Sequence, residues 1–300
     1  MDRGRPAASG KVSVESIVWD ERPTLLAAAV RMLGTRADAE DAVQEAYARW
    51  VRLDDAERES IRSPGAWLMR VTARICLDLL GSARVRRERY VGEWLPEPVP
   101  AYASPAADPA EAVERADSVS TALLLVLETL TPAERVAFVL HDVFALSFAE
   151  IAEVVGRTPA ACRQLATSAR RHVGERRGAG VPPERHAALV TAFAEAAGTG
   201  RLEALVGVLD PEVVLRSDGG GIVSAARHPV RGADDVARFL LGLARKLPSA
   251  TYERVVHGDG DGILIRLDGA VSAVISFATD GTRITDIWMM RNPEKLGSWH

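Results

Sequence analysis

Two cysteines in 300 residues, Cys76 and Cys162, exclude a disulfide framework and a cysteine-rich metal cluster. Both fall in helical patterns, so each is expected to be a small buried apolar residue in a reducing compartment. Long apolar runs are missing too. The longest, ALLLVL at 122–127, is far too short to span a bilayer. The opening MDRGRPAASG has no apolar core of a secretory signal, so a cytoplasmic protein is expected. Nor is there an excess of positive charge: 37 Lys and Arg stand against 41 Asp and Glu, a net charge of −4. Any nucleic-acid contact must therefore rest on local patches. What remains, 26% charged and 47% hydrophobic residues, is ordinary for a globular chain. The length suits two or three domains.

The chain divides into blocks. Residues 14–90 carry helical periodicity. Residues 91–111 hold five prolines and are expected to form an extended linker. Residues 112–176 are helical again, and RGAGVPPE at 177–184 is a second break. From 185 to 300 the pattern changes. Helical segments at 185–197 and 201–209 precede strand-like runs at 212–217, 222–228, 251–257, 263–267, 271–278 and 283–291, with a helix at 232–246 among them. HGDGDG at 257–262 and TDG at 279–281 suit hairpins. This is the pattern of a compact α+β domain.

Residues 149–171, AEIAEVVGRTPAACRQLATSARR, predict two short helices about a tight turn. Phe148, Ile151, Ala152 and Val155 share one helical face. Ser147 and Glu150 form a capping box, and Gly156 suits a left-handed C′ position. Thr158 is a natural N-cap followed by Pro159 at N1. In the second helix Cys162, Leu165, Ala166, Ala169 and Val173 form an apolar face, and Arg163, Gln164, Thr167 and Arg171 another. The pattern is that of a helix-turn-helix. Spacing alone leaves open an ordinary helical hairpin with a solvated basic face.

Upstream, residues 35–53 form an amphipathic helix buried through Ala39, Ala42, Val43, Ala46, Tyr47 and Trp50. Asp38, Asp41, Gln44 and Glu45 lie largely on other faces, near the N-terminal end where the helix dipole favours anions. Residues 63–80 open on a Ser-Pro start. Trp67, Leu68, Val71 and Ile75 are its apolar positions, and Arg70 and Arg74 are exposed one turn apart. After Gly81 come Arg84, Arg86, Arg87 and Arg89, a cluster able to hold phosphates.

LGTRADAEDAVQEAYARW, SPGAWLMRVTARICLD and LTPAERVAFVLHDVFALSFAEIAEVVGRTPAACRQLATSARRHV, in that order and around a proline-rich separator, resemble bacterial RNA polymerase sigma factors of the extracytoplasmic-function group. The first two resemble conserved region 2 and the third region 4. The third also supplies a capping box from Thr131 to Glu134. The resemblance implies that residues 14–90 bind core polymerase and the minus-10 promoter element, and that residues 112–176 bind the minus-35 element. Asp38, Asp41, Gln44 and Glu45 would dock on the coiled coil of the polymerase's largest subunit. Arg70, Arg74, Arg84, Arg86 and Arg87 would lie near the opened minus-10 DNA. Arg163, Gln164 and Thr167 would meet base edges in the major groove, and Arg157, Arg170 and Arg171 the DNA backbone. A separate anti-sigma factor is a further possible partner. The alternative is a helix-turn-helix regulator fused to a ligand-binding or cyclase/isomerase-like domain.

Residues 185–300 resemble the SnoaL-like domain, a cone of helices on a curved sheet, which one sigma subgroup carries at its end. WLPEP at 94–98, SDGGG at 217–221 and NPEKL at 292–296 are similar to that subgroup. A lysine usually follows the glycines; here Ile222 stands there. The implied fold is mainly α over the first two-thirds, in two helical sigma domains, plus an α+β SnoaL-like cone. The implied role of the cone is regulatory. Asp218, Gly219, Gly220 and Gly221, with Asn292, Pro293, Glu294, Lys295 and Leu296, would pack on region 2 or on Trp94, Leu95 and Pro96 of the linker. Relatives of the cone include enzymes that use an Asp or His inside it, and Asp218, His228, His257 and Asp286 are available. None forms an acid–base pair at recognisable spacing, so no catalytic residue, cofactor or metal is expected.

Overall fold

The computed structural model describes residues 20–87, 90, 92–100, 121–176, 181–257 and 260–299, with the backbone alone at 83–87, 175 and 176. The linker's 101–111, the start of the second helical block at 112–120, residues 177–180 and Arg89 lie outside the described residues.

Helices α1 (Arg22–Leu33), α2 (Arg36–Arg52), α3 (Asp55–Ser60) and α4 (Pro64–Arg87) make the first unit. Gly34, at φ 80°, ends α1 in the left-handed conformation that glycine tolerates. The Thr35 side chain caps α2, and Asp54 with Glu57 forms a capping box on α3. The sequence placed the end of the fourth helix near Gly81. Instead α4 runs through it, since a Cβ there would meet nothing within 4 Å and good helix formers follow.

The second unit comprises α5 (Thr121–Glu128), α6 (Pro132–Phe138), α7 (Phe148–Val155) and α8 (Pro159–Arg176). Both expected capping boxes, Thr131 with Glu134 and Ser147 with Glu150, are present. Gly156 takes φ 69°, and Thr158 Oγ1 accepts from the Ala161 N–H. A π-helical turn at Val139–Val143, absent from the sequence pattern, leads into a left-handed Ala145. The two helical units share one apolar core, from Leu25 and Met32 through Trp50, Leu68 and Cys76 to Leu140, Ile151 and Cys162. Both cysteines are buried as free thiols.

The third unit begins with α9 (Pro183–Thr199) and α10 (Leu202–Val208), followed by β1 (Leu209–Asp218), β2 (Val230–Arg231) and α11 (Ala233–Lys246). Strands β3 (Ala250–His257), β4 (Gly260–Leu267), β5 (Ala270–Thr279) and β6 (Ile284–Met290) complete it. The sheet order is β2-β1-β6-β5-β4-β3, with β1 and β6 parallel and every other pair antiparallel. Alternation divides the sheet's faces. Val213, Leu215, Ile275, Phe277 and Met289 point into the cone with α9–α11, where Phe193 and Phe277 meet edge-to-face at 4.9 Å. Leu264, Val274, Trp288 and Met290 point out the other side.

The expected strand at 222–228 is not formed. Gly220 and Gly221 have positive φ, and the Ile222 and Val223 N–H groups turn back to the Gly219 carbonyl. The run is consumed in a loop, and only the two residues of β2 pair with β1.

Candidate functional site

The outer face of the sheet is covered by other parts of the chain. Leu95 of the linker, Leu296 and Trp299 of the C-terminal turns, and Ala122 and Leu125 of α5 pack on Leu264, Val274, Trp288 and Met290. Helix α5 is thus two-faced, with Leu123, Leu124 and Leu127 in the helical core. Burying each of these leucines contributes about 1.5–3 kcal/mol.

At the centre is Asp218, wholly buried at the end of β1. A carboxylate has about four acceptor positions, and here all four are used. Oδ1 accepts from the Tyr90 hydroxyl at 2.7 Å and the Gly220 N–H at 2.9 Å. Oδ2 accepts from the Leu95 N–H at 2.9 Å and Lys295 Nζ at 2.8 Å. Lys295 also donates to the Leu95 carbonyl at 2.7 Å and lies 4.2 Å from the Trp94 ring centre. Burial, then the bond to Asp218, pushes the Tyr90 phenol well above its ordinary value, so it stays protonated and donates. Asn292 completes the knot by donating to the Tyr90 oxygen at 3.0 Å. A Cβ on Gly220 would lie 2.6 Å from the Asn292 amide, so only glycine fits.

The other side of the linker grips the first helical unit. The Glu97 N–H donates to the Gly34 carbonyl at 2.9 Å, and Glu97 Oε2 accepts from the Arg36 N–H at 2.8 Å. That N–H is one of the free donors at the start of α2, so Glu97 caps the helix from outside. Burial nonetheless raises the Glu97 carboxyl above its ordinary value, partly offset by the bonds from Arg36 and Ser298. Trp94 lies against Gly34, where a Cβ would come within 2.8 Å of the indole. Trp299 Nε1 donates to the Pro98 carbonyl at 2.7 Å, and Pro100 bridges to His257 at the sheet's edge. Segment 94–100 is thereby held between the helical and α+β units.

Of the residues singled out in the sequence, Trp94, Leu95, Asp218, Gly219, Gly220, Asn292, Lys295 and Leu296 meet in or beside this knot, and Pro96 is buried next to it. Pro293, Glu294 and Gly221 are exposed around it. Glu97 stands within the WLPEP motif, but the sequence reading gave no sign of Gly34, Tyr90 or Trp299. The one available hint was that Tyr90 and Trp299 are aromatics outside any periodic stripe.

The helical units are also bonded to each other. Arg74 Nη1 donates to the Val154 carbonyl at 2.7 Å, and Arg70 lies 3.5 Å from Glu153. Buried Arg135, lowered to about 10 by desolvation but still charged, donates to the Met32 carbonyl at 2.8 Å and to Glu128 at 2.7 Å. Arg74 is exposed as expected, whereas the expectation for Arg70 needs correction: it is half-buried, and both engage α7, because the two units pack face to face.

Asp41 and Gln44 are exposed, Asp38 is held by Thr35, and Glu45 pairs with Arg49 at 2.9 Å. Arg157, Gln164, Thr167 and Arg171 are exposed. Arg163 sits 5.2 Å from the Phe148 ring centre, and Arg170 pairs with Asp142 at 2.6 Å. The side chains of Arg84, Arg86 and Arg87 lie outside those described. Among the described residues, no group of three or more His, Cys, Asp or Glu could hold a metal, and no helix is long and apolar enough to cross a membrane.

Comparison with known proteins supplies the family. "Sigma-70 region 2" matches residues 18–86 and "Sigma-70, region 4" matches 120–173. The ECF RNA polymerase sigma factor SigJ of Mycobacterium tuberculosis H37Rv is 41% identical over 288 residues, covering 92% of this chain and 90% of SigJ. The probable ECF RNA polymerase sigma factor SigI of M. tuberculosis CDC 1551 is 36% identical, covering 94% of each chain. The crystal structure of M. tuberculosis SigJ superposes with a TM-score of 0.75 at 35% identity, covering 95% of this chain and 99% of that one. With an end-to-end relative at that identity and the fold shared, the chain belongs to the extracytoplasmic-function RNA polymerase sigma factors.

Proposed function

We propose that this sigma factor directs core RNA polymerase to its promoters through two separable helical modules, and that its α+β unit holds them in a closed, promoter-incompetent arrangement. The carrying observation is the engagement of Arg70 and Arg74 with α7. The minus-10 and minus-35 elements lie roughly 25 base pairs apart, about 85 Å at 3.4 Å per pair. A compact chain of this length is only about 50 Å across. Two modules in direct contact cannot reach both elements, so promoter binding requires them to part.

In this reading Asp38, Asp41, Gln44 and Glu45 dock on the coiled coil of the polymerase's largest subunit. Asp41 and Gln44 are open to do so in the closed form. Arg163, Gln164 and Thr167 face bases, while Arg157, Arg170 and Arg171 hold phosphates. Arg170 must first leave Asp142. Parting the modules frees Arg70 and Arg74 for minus-10 DNA. Segment 94–100, Asp218 and Lys295 form the latch.

The reading gives the α+β unit a regulatory role with no catalytic step. Asp218 and Asp286 alternate outward with Trp288 and Met290, and His257 meets Ser276 and Trp299 on that same outer face. Asp286 pairs with Arg216 at 3.1 Å, and His228 is exposed on the loop before β2. The cone interior is lined instead by apolar side chains.

Run-off transcription with purified core polymerase tests the proposal. Wild type and Lys295→Met should both co-purify with core enzyme, and the variant should initiate more efficiently per bound sigma. Failure of wild type to bind core enzyme would refute the docking role. Equal initiation would refute the latch.

A further inference from the structure

Arg163 is exposed on α8, yet its guanidinium is not loose. It lies over the Phe148 ring, 5.2 Å from the ring centre. Phe148 is the first residue of α7 and shares a face with Ile151, which is wholly buried. Its own ring stays half-buried and stacks on the His141 ring, with centres 4.0 Å apart and planes at 30°. His141 is fixed in turn. Its Nδ1 lies 2.9 Å from the Leu146 carbonyl oxygen, which can only accept, so the proton sits on Nδ1. Two aromatic rings thus link the Arg163 guanidinium to the backbone at Leu146.

The backbone that carries His141 is unusual. His141 lies in the π-helical turn Val139–Val143, a form frequent at functional sites. The chain leaves that turn through Ala145 at φ 55°, a left-handed conformation that a side chain disfavours. The Leu146 N–H then closes on the Leu140 carbonyl at 2.9 Å. A plain helical connection needs neither feature.

The same turn also holds a second arginine, but in a different way. Arg170, about two helical turns beyond Arg163, spends its Nε–H on Asp142 at 2.6 Å. Among the described residues, no hydrogen bond or ion pair uses the Arg163 guanidinium. Contact with a ring face fixes a guanidinium while leaving its fork of donors unspent, and that fork is what matches the edge of a guanine.

We propose that Phe148, braced by His141, is a positioning residue for promoter recognition. It holds the Arg163 guanidinium ready for a base edge, and so sets how strongly one position of the upstream element is discriminated. The inference rests on the assignment of Arg163 to a base made above. The physical reason is pre-organisation: a guanidinium resting on a ring loses less freedom on meeting DNA than one swinging in water.

The test uses the full chain with core polymerase and a library of DNA fragments randomised across the upstream promoter element; bound fragments are sequenced. Arg163→Ala should flatten the preference at one position. Phe148→Leu should flatten that same position about two- to fivefold, and Phe148→Tyr, which keeps a ring, should retain the wild-type preference. Adding Phe148→Leu to Arg163→Ala should change that position no further. Phe148→Met, which also lacks a ring, guards against a folding defect peculiar to leucine. The proposal is overturned, with the Arg163 assignment left standing, if both ringless variants keep the preference at that position, whether or not they weaken binding to all sequences alike. It is overturned in the same way if the tyrosine variant behaves as the leucine one does. An unaltered preference in Arg163→Ala would overturn the base assignment and the proposal together, so the two failures are told apart.

Discussion

Replacing Lys295 with methionine removes a buried charge while keeping most of the side chain's volume. Asp218, wholly buried, then loses the one cation bonded to it among the described residues and keeps three neutral donors: Tyr90, the Leu95 N–H and the Gly220 N–H. The Leu95 carbonyl and the Trp94 ring lose their contact with the ammonium. Removing one partner of a buried ion pair costs about 3–5 kcal/mol. The three remaining donors place this case near the lower end, about 3 kcal/mol. Opening solvates Asp218, so the loss falls on the closed form alone, and the closed-to-open ratio should drop about a hundredfold. Single-molecule energy transfer between dyes on cysteines introduced at exposed Asp55 and Lys246 would read that ratio. The native thiols should not interfere, since both are buried and burial pushes Cys76 up to about 12. Asp218→Asn should cost a similar amount, and the double variant far less than the sum. Single effects that add to within about 0.5 kcal/mol, or an unchanged dye distance in Lys295→Met, would refute the latch energetics.

Other changes carry distinct expectations. Gly34→Ala meets both a left-handed backbone and the Trp94 indole, so it should loosen the linker by about 2 kcal/mol or more, read as faster proteolysis within 94–100; unchanged cleavage would argue against the contact. Arg163→Ala should relax preference at one promoter position at a cost of about 1–3 kcal/mol, whereas Arg171→Ala should weaken all sequences alike, and a uniform loss for both in a promoter-variant series would remove the distinction. Glu97 has a folded-state pKa above its ordinary value of 4.5, so the folded state holds that proton more tightly than the unfolded chain does. Its stabilising contribution is therefore full below 4.5 and lost as pH rises through the raised value. Wild type should lose thermal stability relative to Glu97→Gln as pH rises above 4.5, and a difference that stays constant with pH would contradict the assignment.

Much of the helical half was written in local sequence. Ser147 with Glu150, Thr131 with Glu134, Gly156 and Thr158 each act within a few residues of chain, so their chemistry is legible without knowing what packs nearby. Of the apolar face of α8, Cys162, Ala166, Ala169 and Val173 are buried as the spacing implies, and Leu165 is half-buried. The strand expected at 222–228 is prevented locally: left-handed Gly220 and Gly221 turn the chain before it can extend.

Local sequence sets where α6, α7 and α8 begin and which helical faces are apolar, and resemblance to a sigma subgroup marks WLPEP, SDGGG and NPEKL. Periodicity and capping depend only on neighbours along the chain. The resemblance implied that those three motifs meet; folding in three dimensions decides that they do so around one buried carboxylate, and that Arg70 and Arg74 turn to α7. It also decides that Gly34, Tyr90 and Trp299 take part. The hydrogen bonds that join these units link residues separated by 61 to 202 positions. Long-range pairing follows from how whole units pack, and no window of local sequence contains both partners.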